Sequence, residues 1–341
     1  MKRVGVVCLL ALLLVCLACA ASAEAQTVVI GEWKNMDKLY ERLDELSPDA
    51  KVDLTATAMK LEYCKALAER YPDMEFVFKL RIFDKYTTSD VTELNLGAIK
   101  YSDVQKLYDY LEWMPKLTSL RTRGHVFTYD ERQELADRFA NITNVECLLR
   151  VGNNNLLSTC TAYCTKHALY TEDRHDQNDF RILKFCLDLK ALDVGHNSVS
   201  DLEFIRELPQ LQILIMADND LSDLTPLESQ THLEYIELFL NEDITDISVL
   251  GNRPLLLDLH IGCCNITDFS ALLTDTRLDR LWIGGNPVSD EQIAMLEKGL
   301  PNCTLNWTAI HHPTAEGWRQ GHPRYLKIAK MFSTGRYVEF P

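Results

Sequence analysis

Two short stretches of this 341-residue chain bring together side chains able to do covalent or metal chemistry. One is DLHIGCCNITDFSALL, residues 258–273, in which Cys263 and Cys264 stand side by side. The other is LLSTCTAYCTKHALYTEDRHDQNDF, residues 156–180, which holds Cys160, Cys164, His167, His175 and Asp176. A thiol beside an imidazole is the pairing of a nucleophile with its base. Clustered cysteines and histidines are also the ligands of structural zinc. Neither stretch has a spacing that commits it to such a role. No second metal-binding pair stands at a suitable distance from Cys263-Cys264, and the Cys160–Asp176 set matches no nucleophile motif. The expectation is therefore no catalytic residue, no metal and no cofactor. In the second stretch a Cys160–Cys164 disulfide, or a thiol buried under a loop, is the preferred reading. An enzyme using Cys160 and His175 is kept as an alternative.

The elements around Cys264 explain its position. Leu189–Val199 reads LKALDVGHNSV, Leu211–Leu221 reads LQILIMADNDL, and Leu278–Val288 reads LDRLWIGGNPV. Each follows L-x-x-L-x-L-x-x-N-x-L, the leucine-rich repeat pattern. Two more copies start at Leu233 and Leu256, the first with one extra residue before Ile244. The closing apolar residues Val199, Leu221, Ile244, Ile266 and Val288 are spaced by 22, 23, 22 and 22 residues. Asn197, Asn219, Asn241, Cys264 and Asn286 then form one inward ladder. Each side chain there meets backbone polar groups that are costly to bury unpaired. Cys264 is a structural member of that ladder, and Cys263 lies just outside its turn as a thiol. The motif following each ladder residue, Ser200-Asp201, Ser222-Asp223, Thr245-Asp246, Thr267-Asp268 and Ser289-Asp290, is expected to start a local turn or short helix. A calcium-binding column is the competing reading.

With SDLTPL and TDISVL after the ladder, residues 183–307 resemble the internalin-type leucine-rich repeats of bacterial surface and secreted proteins. The resemblance implies a protein-binding, adhesive surface. The wall-sorting signal of internalins is not among these motifs. Residues 51–155 carry a looser, longer version, with Leu94, Leu120 and Leu148 spaced by 26 and 28 residues. Such lengths leave room for a full helix in each coil. The expected fold is an α/β leucine-rich repeat solenoid. Its parallel sheet lines the concave face, helices and short turns lie on the convex face, and a helical cap ends it.

The expected organisation is a signal peptide over 1–23, an N-terminal cap segment over 24–50 and long helical repeats over 51–155. An inserted junction loop (156–182), internalin-type repeats (183–307) and a C-terminal cap (308–341) follow. The signal reading rests on Lys2-Arg3, the apolar run Val4–Ala18 and the Ala21-Ser22-Ala23 cleavage pattern. It implies a mature chain starting at Glu24, secreted or at the cell surface. A lipid anchor at Cys19 is the alternative. Four Asn-x-Ser/Thr patterns, at Asn141, Asn265, Asn302 and Asn306, matter only in a eukaryotic secretory route. A net charge of −15 without a basic block speaks against nucleic acid, and no later apolar run is long enough to span a bilayer. Trp318, Tyr325, Ile328, Met331 and Phe332 suit a cap on the last coil; anion binding by Arg319, His322 and Arg324 is the alternative to that cap.

Strand alternation turns Ile213, Ile215, Tyr235, Glu237, Phe239, Asp258, His260, Arg280 and Trp282 away from the repeat core. An aromatic and apolar cluster rimmed by charge has the composition of an interaction hot spot. These nine residues are the expected partner-binding set, for an unidentified protein or a glycan. On that reading Trp282→Ala leaves stability nearly unchanged. The competing reading is that the loop or the cap folds over them. The leading function is an exported, non-enzymatic binding module; a lipid-anchored structural protein of the envelope is the second.

Overall fold

The computed structural model describes residues 27–165, 174–308 and 317–340. The signal peptide, the Glu24 start, Cys19 and His167 lie outside these residues. The chain divides into two compact units: Met1–Arg121 with Phe139–Asn144, and Thr122–Arg138 with Val145–Pro341.

In the first unit, β1 (Val28–Val29), β2 (Lys51–Met59) and β3 (Glu75–Ile82) run parallel. Strand β4 (Lys85–Thr88) returns antiparallel to β3. Helix α1 (Met36–Leu43) starts at Asn35, whose Oδ1 accepts from the Lys38 N–H at 3.0 Å, and buries Leu39 and Leu43. Helix α2 (Leu61–Arg70) buries Cys64 and Leu67. After β5 (Glu93–Gly97), helix α3 (Val104–Leu111) is capped by Asp103 and buries Val104, Leu107, Tyr108 and Leu111. This is the strand-plus-helix coil that the long spacing requires. Strand β6 (Ser119–Phe127) leads out of this unit.

The second unit holds helix α4 (Tyr129–Arg138), then β7 (Asn144–Val151) and β8 (Asn154–Leu157), an antiparallel hairpin turning at Gly152 with φ +52°. Strand β7 buries Val145, Cys147, Leu149 and Val151, so Leu148 lies on the other face, one residue off the expected register. A seven-stranded all-parallel sheet follows: β9 (Ala162–Cys164), β10 (Ala191–Asp193), β11 (Ile213–Ile215), β12 (Tyr235–Glu237), β13 (Asp258–His260), β14 (Arg280–Trp282) and β15 (Thr304–Asn306). The pairing is continuous, Leu192↔Leu214↔Ile236↔Leu259↔Leu281↔Leu305, and all but the last of these are fully buried. The repeat sheet starts at Ala162, inside the segment read as an inserted loop. Helix α5 (Gln177–Phe180) continues into a 3₁₀ turn over Arg181–Phe185. Helix α6 (Asp290–Gly299) starts at the Ser289 cap, and helix α7 (Pro323–Thr334) closes at Gly335 with φ +67°.

Three repeated devices hold the coils. The ladder is the first. Asn219 donates from Nδ2 to the Val194 and Met216 carbonyls, both at 3.1 Å, while its Oδ1 accepts from the Val199 N–H at 3.0 Å. Asn241 and Asn286 repeat this with Leu221 and Ile266 as donors. The second is a left-handed residue just before the ladder: His196, Asp218, Leu240, Cys263 and Gly285 all have φ between +51° and +80°. A Cβ on Gly285 would stand 2.6 Å from Cys263 Sγ, so that turn excludes a larger residue. The third is the Asp column. Asp201, Asp223, Asp246 and Asp268 each accept from the backbone N–H two residues on, at 2.8–2.9 Å, and start a 3₁₀ turn. The column is structural.

Candidate functional site

The outward face of β10–β14 is where sequence reasoning put partner binding, and the nine residues do line one face of neighbouring strands. They are not exposed. Ile213, Ile215, Tyr235, Glu237 and Asp258 have no accessible surface, His260 keeps 1%, and Phe239, Arg280 and Trp282 keep 4–7%. Their cover is the chain's own C-terminal segment. It was expected over the end of the last coil, yet β15 extends the sheet there and the segment lies across the sheet face instead. Trp318, Ile328, Met331, Phe332 and Phe340 share one buried cluster with Ala162, Ala191, Ile213, Ile215, Tyr235 and Trp282. The physical reason is apolar area: a face carrying two isoleucines, a tyrosine and a tryptophan is strongly driven to leave water.

The centre of the contact is a slot for one indole. Trp318 is fully buried. Its ring lies 5.5 Å from Tyr235, 5.0 Å from His260 and 5.4 Å from Trp282, centroid to centroid. The Arg280 guanidinium covers it at 4.2 Å. Trp318 Nε1 donates to Glu237 Oε2 at 3.1 Å, and Arg280 Nη1 donates to the Trp318 carbonyl at 3.0 Å.

Two buried carboxylates flank the slot. Glu237 accepts from the Tyr235 hydroxyl at 3.0 Å and from Arg319 through a two-pronged contact, Nε at 3.1 Å and Nη2 at 2.5 Å. Burial pushes the Glu237 carboxyl up, but Arg319 and the donated hydrogen bonds outweigh it and hold it below the usual glutamate value. Asp258 accepts from Arg280 Nε at 2.8 Å and from Arg324 Nη1 at 2.7 Å, while Arg324 also reaches Asp279 at 2.7 Å. Arg319 and Arg324 therefore serve these carboxylates. His260 packs edge-on against Phe239 at 4.8 Å, and its Nδ1 accepts from the Gly262 N–H at 3.2 Å. Burial lowers its pKa to about 4. At the far end, Gly335 gives its carbonyl to the N–H groups of Thr161 and Ala162, both at 3.3 Å, and the Tyr337 N–H donates to Thr161 Oγ1 at 2.7 Å. The segment thus runs from β14 to the opposite edge of the sheet. Sequence reasoning had Trp318, Arg319 and Arg324 in view but not their targets.

The thiol sites resolve differently from each other. Cys264 Sγ donates to the Leu238 and Gly262 carbonyls, each at 3.6 Å, in its ladder place. It has no oxygen to receive the Ile244 N–H, which turns to the Asn241 carbonyl at 3.1 Å, inside the coil with the extra residue. Burial pushes the Cys264 thiol up to about 12. The eight cysteines among the described residues are all outside disulfides. Cys160 and Cys164 lie four residues apart along a chain that enters strand β9. His175 Nδ1 pairs with Asp179 at 2.8 Å, and Asp176 caps α5 by accepting from the Asn178 N–H at 2.8 Å. The Cys186 thiol, buried in the same unit, is pushed up by its contact with Cys160 and by burial. Raised thiols are poor nucleophiles. No group of three or more metal-ligating side chains is found among the described residues.

No protein-family profile matches the chain, and no curated protein does. Solved structures do. An internalin from Listeria monocytogenes is 22% identical, with 65% of this chain and 57% of that one covered and a TM-score of 0.38. Internalin C2 from the same species is 19% identical over 63% and 81%, with a TM-score of 0.34. A leucine-rich repeat protein of Leptospira interrogans is 16% identical over 75% and 72%, with a TM-score of 0.40. The chain spans 57% of the first of these. No helix among the described residues is long and apolar enough to cross a membrane. The in-register parallel strands, the Asn/Cys ladder and the 22-residue coil carry the fold assignment on their own: this chain holds a leucine-rich repeat fold, with repeats that resemble those of internalins.

Proposed function

We propose that this chain is an exported, non-enzymatic, polypeptide-binding module, and that the covered face of β10–β14 is its recognition surface. One observation carries the reading: that face already holds a polypeptide. The Trp318 slot, Glu237 against Arg319 and Asp258 against Arg324 combine the components of a peptide hot spot, an enclosed aromatic anchor with oriented charge pairs around it. In this molecule the occupant is the chain's own C-terminal segment. The nine residues keep their role as the binding set, with the resident segment as competitor of any partner. Guanidinium and indole N–H groups facing buried carboxylates favour polypeptide over glycan as ligand.

The test uses the full-length chain with the slot emptied by Trp318→Ala and Arg319→Ala together. A synthetic peptide of residues 317–325, GWRQGHPRY, is titrated into this variant and into the unaltered chain. It should bind the emptied variant at least ten-fold more tightly, and adding Glu237→Gln should abolish the gain. Equal or absent binding, with circular dichroism showing the variant folded, would remove the reading. For export, N-terminal sequencing of secreted material should begin at Glu24; a diacylglyceryl Cys19 would favour the anchored alternative.

A further inference from the structure

We propose that the same face accepts the C-terminal segment of a second copy of the chain, so that two molecules exchange residues 317–340 and complete each other's Trp318 slot. This rests on the polypeptide-binding reading above and names the partner. The face is selective: it asks for an indole with an N–H reaching Glu237, an adjacent guanidinium on the same carboxylate, and a second guanidinium five residues later on Asp258. The polypeptide shown to carry all three in register is this chain itself. The segment is also charge-matched to its seat. Residues 317–340 carry five basic side chains, Arg319, Arg324, Lys327, Lys330 and Arg336, against Glu339 alone, a net of +4 in a chain of net −15.

Exchange repeats every contact of the closed molecule. Trp318, Ile328, Met331 and Phe332 bury the same area on either copy's sheet, and Gly335 closes the same strand edge. The difference between closed monomer and exchanged dimer is then the association cost and the conformation of the connection, which is why swapping an identical element is a low-cost route to dimers. Reaching the exchanged state requires withdrawing a fully buried tryptophan and two buried ion pairs, so it is slow in the folded protein. It is reached when two copies fold at high local concentration.

Charge-reversal complementation isolates the exchange. Glu237→Arg spoils the seat and Arg319→Glu spoils the segment, each within a full-length chain. In an exchanged heterodimer, the first variant's Arg319 meets the second variant's Glu237, and the reversed pair meets on the other side. The two are unfolded and refolded separately and together at high concentration, then read by native mass spectrometry. The mixture should yield heterodimer at least ten-fold above the dimer formed by either variant alone. Monomers only in the mixture, or equal dimer in the separate samples, would overturn the proposal. Should both variants fail to fold alone, light and heavy isotope-labelled unaltered chains refolded together decide: mixed-mass dimers that Trp318→Ala suppresses support exchange, and monomers alone overturn it. If peptide 317–325 binds the emptied slot yet no heterodimer forms, exchange fails and the binding reading stands.

Discussion

His260 should make the covered sheet face acid-labile, and the sign follows from its burial. The imidazole is packed among Phe239, Trp282 and Trp318, faces Glu237, Arg280 and Arg319, and accepts from the Gly262 N–H through Nδ1. All but the Glu237 charge favour the neutral ring, and its pKa falls from 6.5 to about 4. The unfolded chain then binds a proton that the folded chain refuses. Stability contributed by neutral His260 is complete above pH 6.5 and is lost as the pH falls from there towards 4. Between pH 8 and pH 5 the loss amounts to about 2 kcal/mol. Asp275 opposes it. Burial raises its carboxyl to about 6, so its folded form gains a proton first and recovers on the order of 1 kcal/mol over the same interval. Glu237, held below its ordinary value, keeps its charge throughout this window and loses its contribution only at lower pH. The unaltered protein should therefore show a shallow pH response that His260→Gln reverses: glutamine keeps an acceptor for Gly262 and cannot be protonated. The assay is native-state hydrogen exchange of the β12 and β13 amides at pH 8 and pH 5, corrected for intrinsic exchange rates. The unaltered chain should lose about 2 kcal/mol more across the interval than His260→Gln. Identical pH slopes in the two proteins would refute the argument.

Asp275→Asn should raise stability at pH 8 by on the order of 1–3 kcal/mol, because its buried carboxyl is ionised there at a cost; the gain should shrink by on the order of 1 kcal/mol at pH 5 and vanish only below about pH 4, where the unfolded carboxyl is protonated too, and urea midpoints across that range check this. Trp282→Ala should destabilise by about 3–5 kcal/mol, since its ring packs against His260 and Trp318; an unchanged melting temperature would contradict the covered face. Cys264→Asn should cost about 1–3 kcal/mol rather than restore a ladder bond, because the Ile244 N–H it would need is already given to Asn241; a rise in urea midpoint would show that the turn can relax. Cys64, Cys147 and Cys264 should react with a thiol reagent at pH 8 only at the rate of unfolding, their thiols being buried and pushed up to about 11–12; prompt labelling would show local opening.

Much of the fold was legible because a repeat states its geometry many times. The 22-residue spacing placed β10–β14, the ladder and the Asp-started turns, each a local device satisfied within a coil or by its neighbour. Cys264 was readable for the same reason. Departures came where one residue changes a face or a pairing. The 28-residue spacing puts Leu148 in the core, yet the strand buries Cys147 and Leu149, and a period of two permits no compromise. The β7–β8 hairpin went unread although Gly152-Asn153 stands between two apolar runs, a turn signal of the kind that two-residue hairpins use. Strand β9 was hidden in a polar, cysteine-bearing segment because Ala162-Tyr163-Cys164 carries no leucine of the repeat pattern.

The covered face, which the sequence reading kept only as the competing alternative, deserved preference for a reason that the sequence itself holds. A strand with one face in water should alternate apolar and polar residues. Residues 211–217, LQILIMA, hold one polar residue in seven, and 278–284, LDRLWIG, pair an outward arginine with an outward tryptophan. Near-continuous apolar runs are the mark of parallel strands buried on both faces. The two charges on the central strands, Glu237 and Asp258, lead to the same conclusion from the other side. A carboxylate among such neighbours is tolerable under cover only if cations come with the cover. The C-terminal segment supplies Arg319 and Arg324 along with Trp318, while its apolar residues Ile328, Met331 and Phe332 match the isoleucine end of the face. Composition of the face and composition of the segment thus specify each other. That mutual fit, rather than the repeat pattern, is the reason to look for this protein's partner among polypeptides that reproduce its own C-terminal segment.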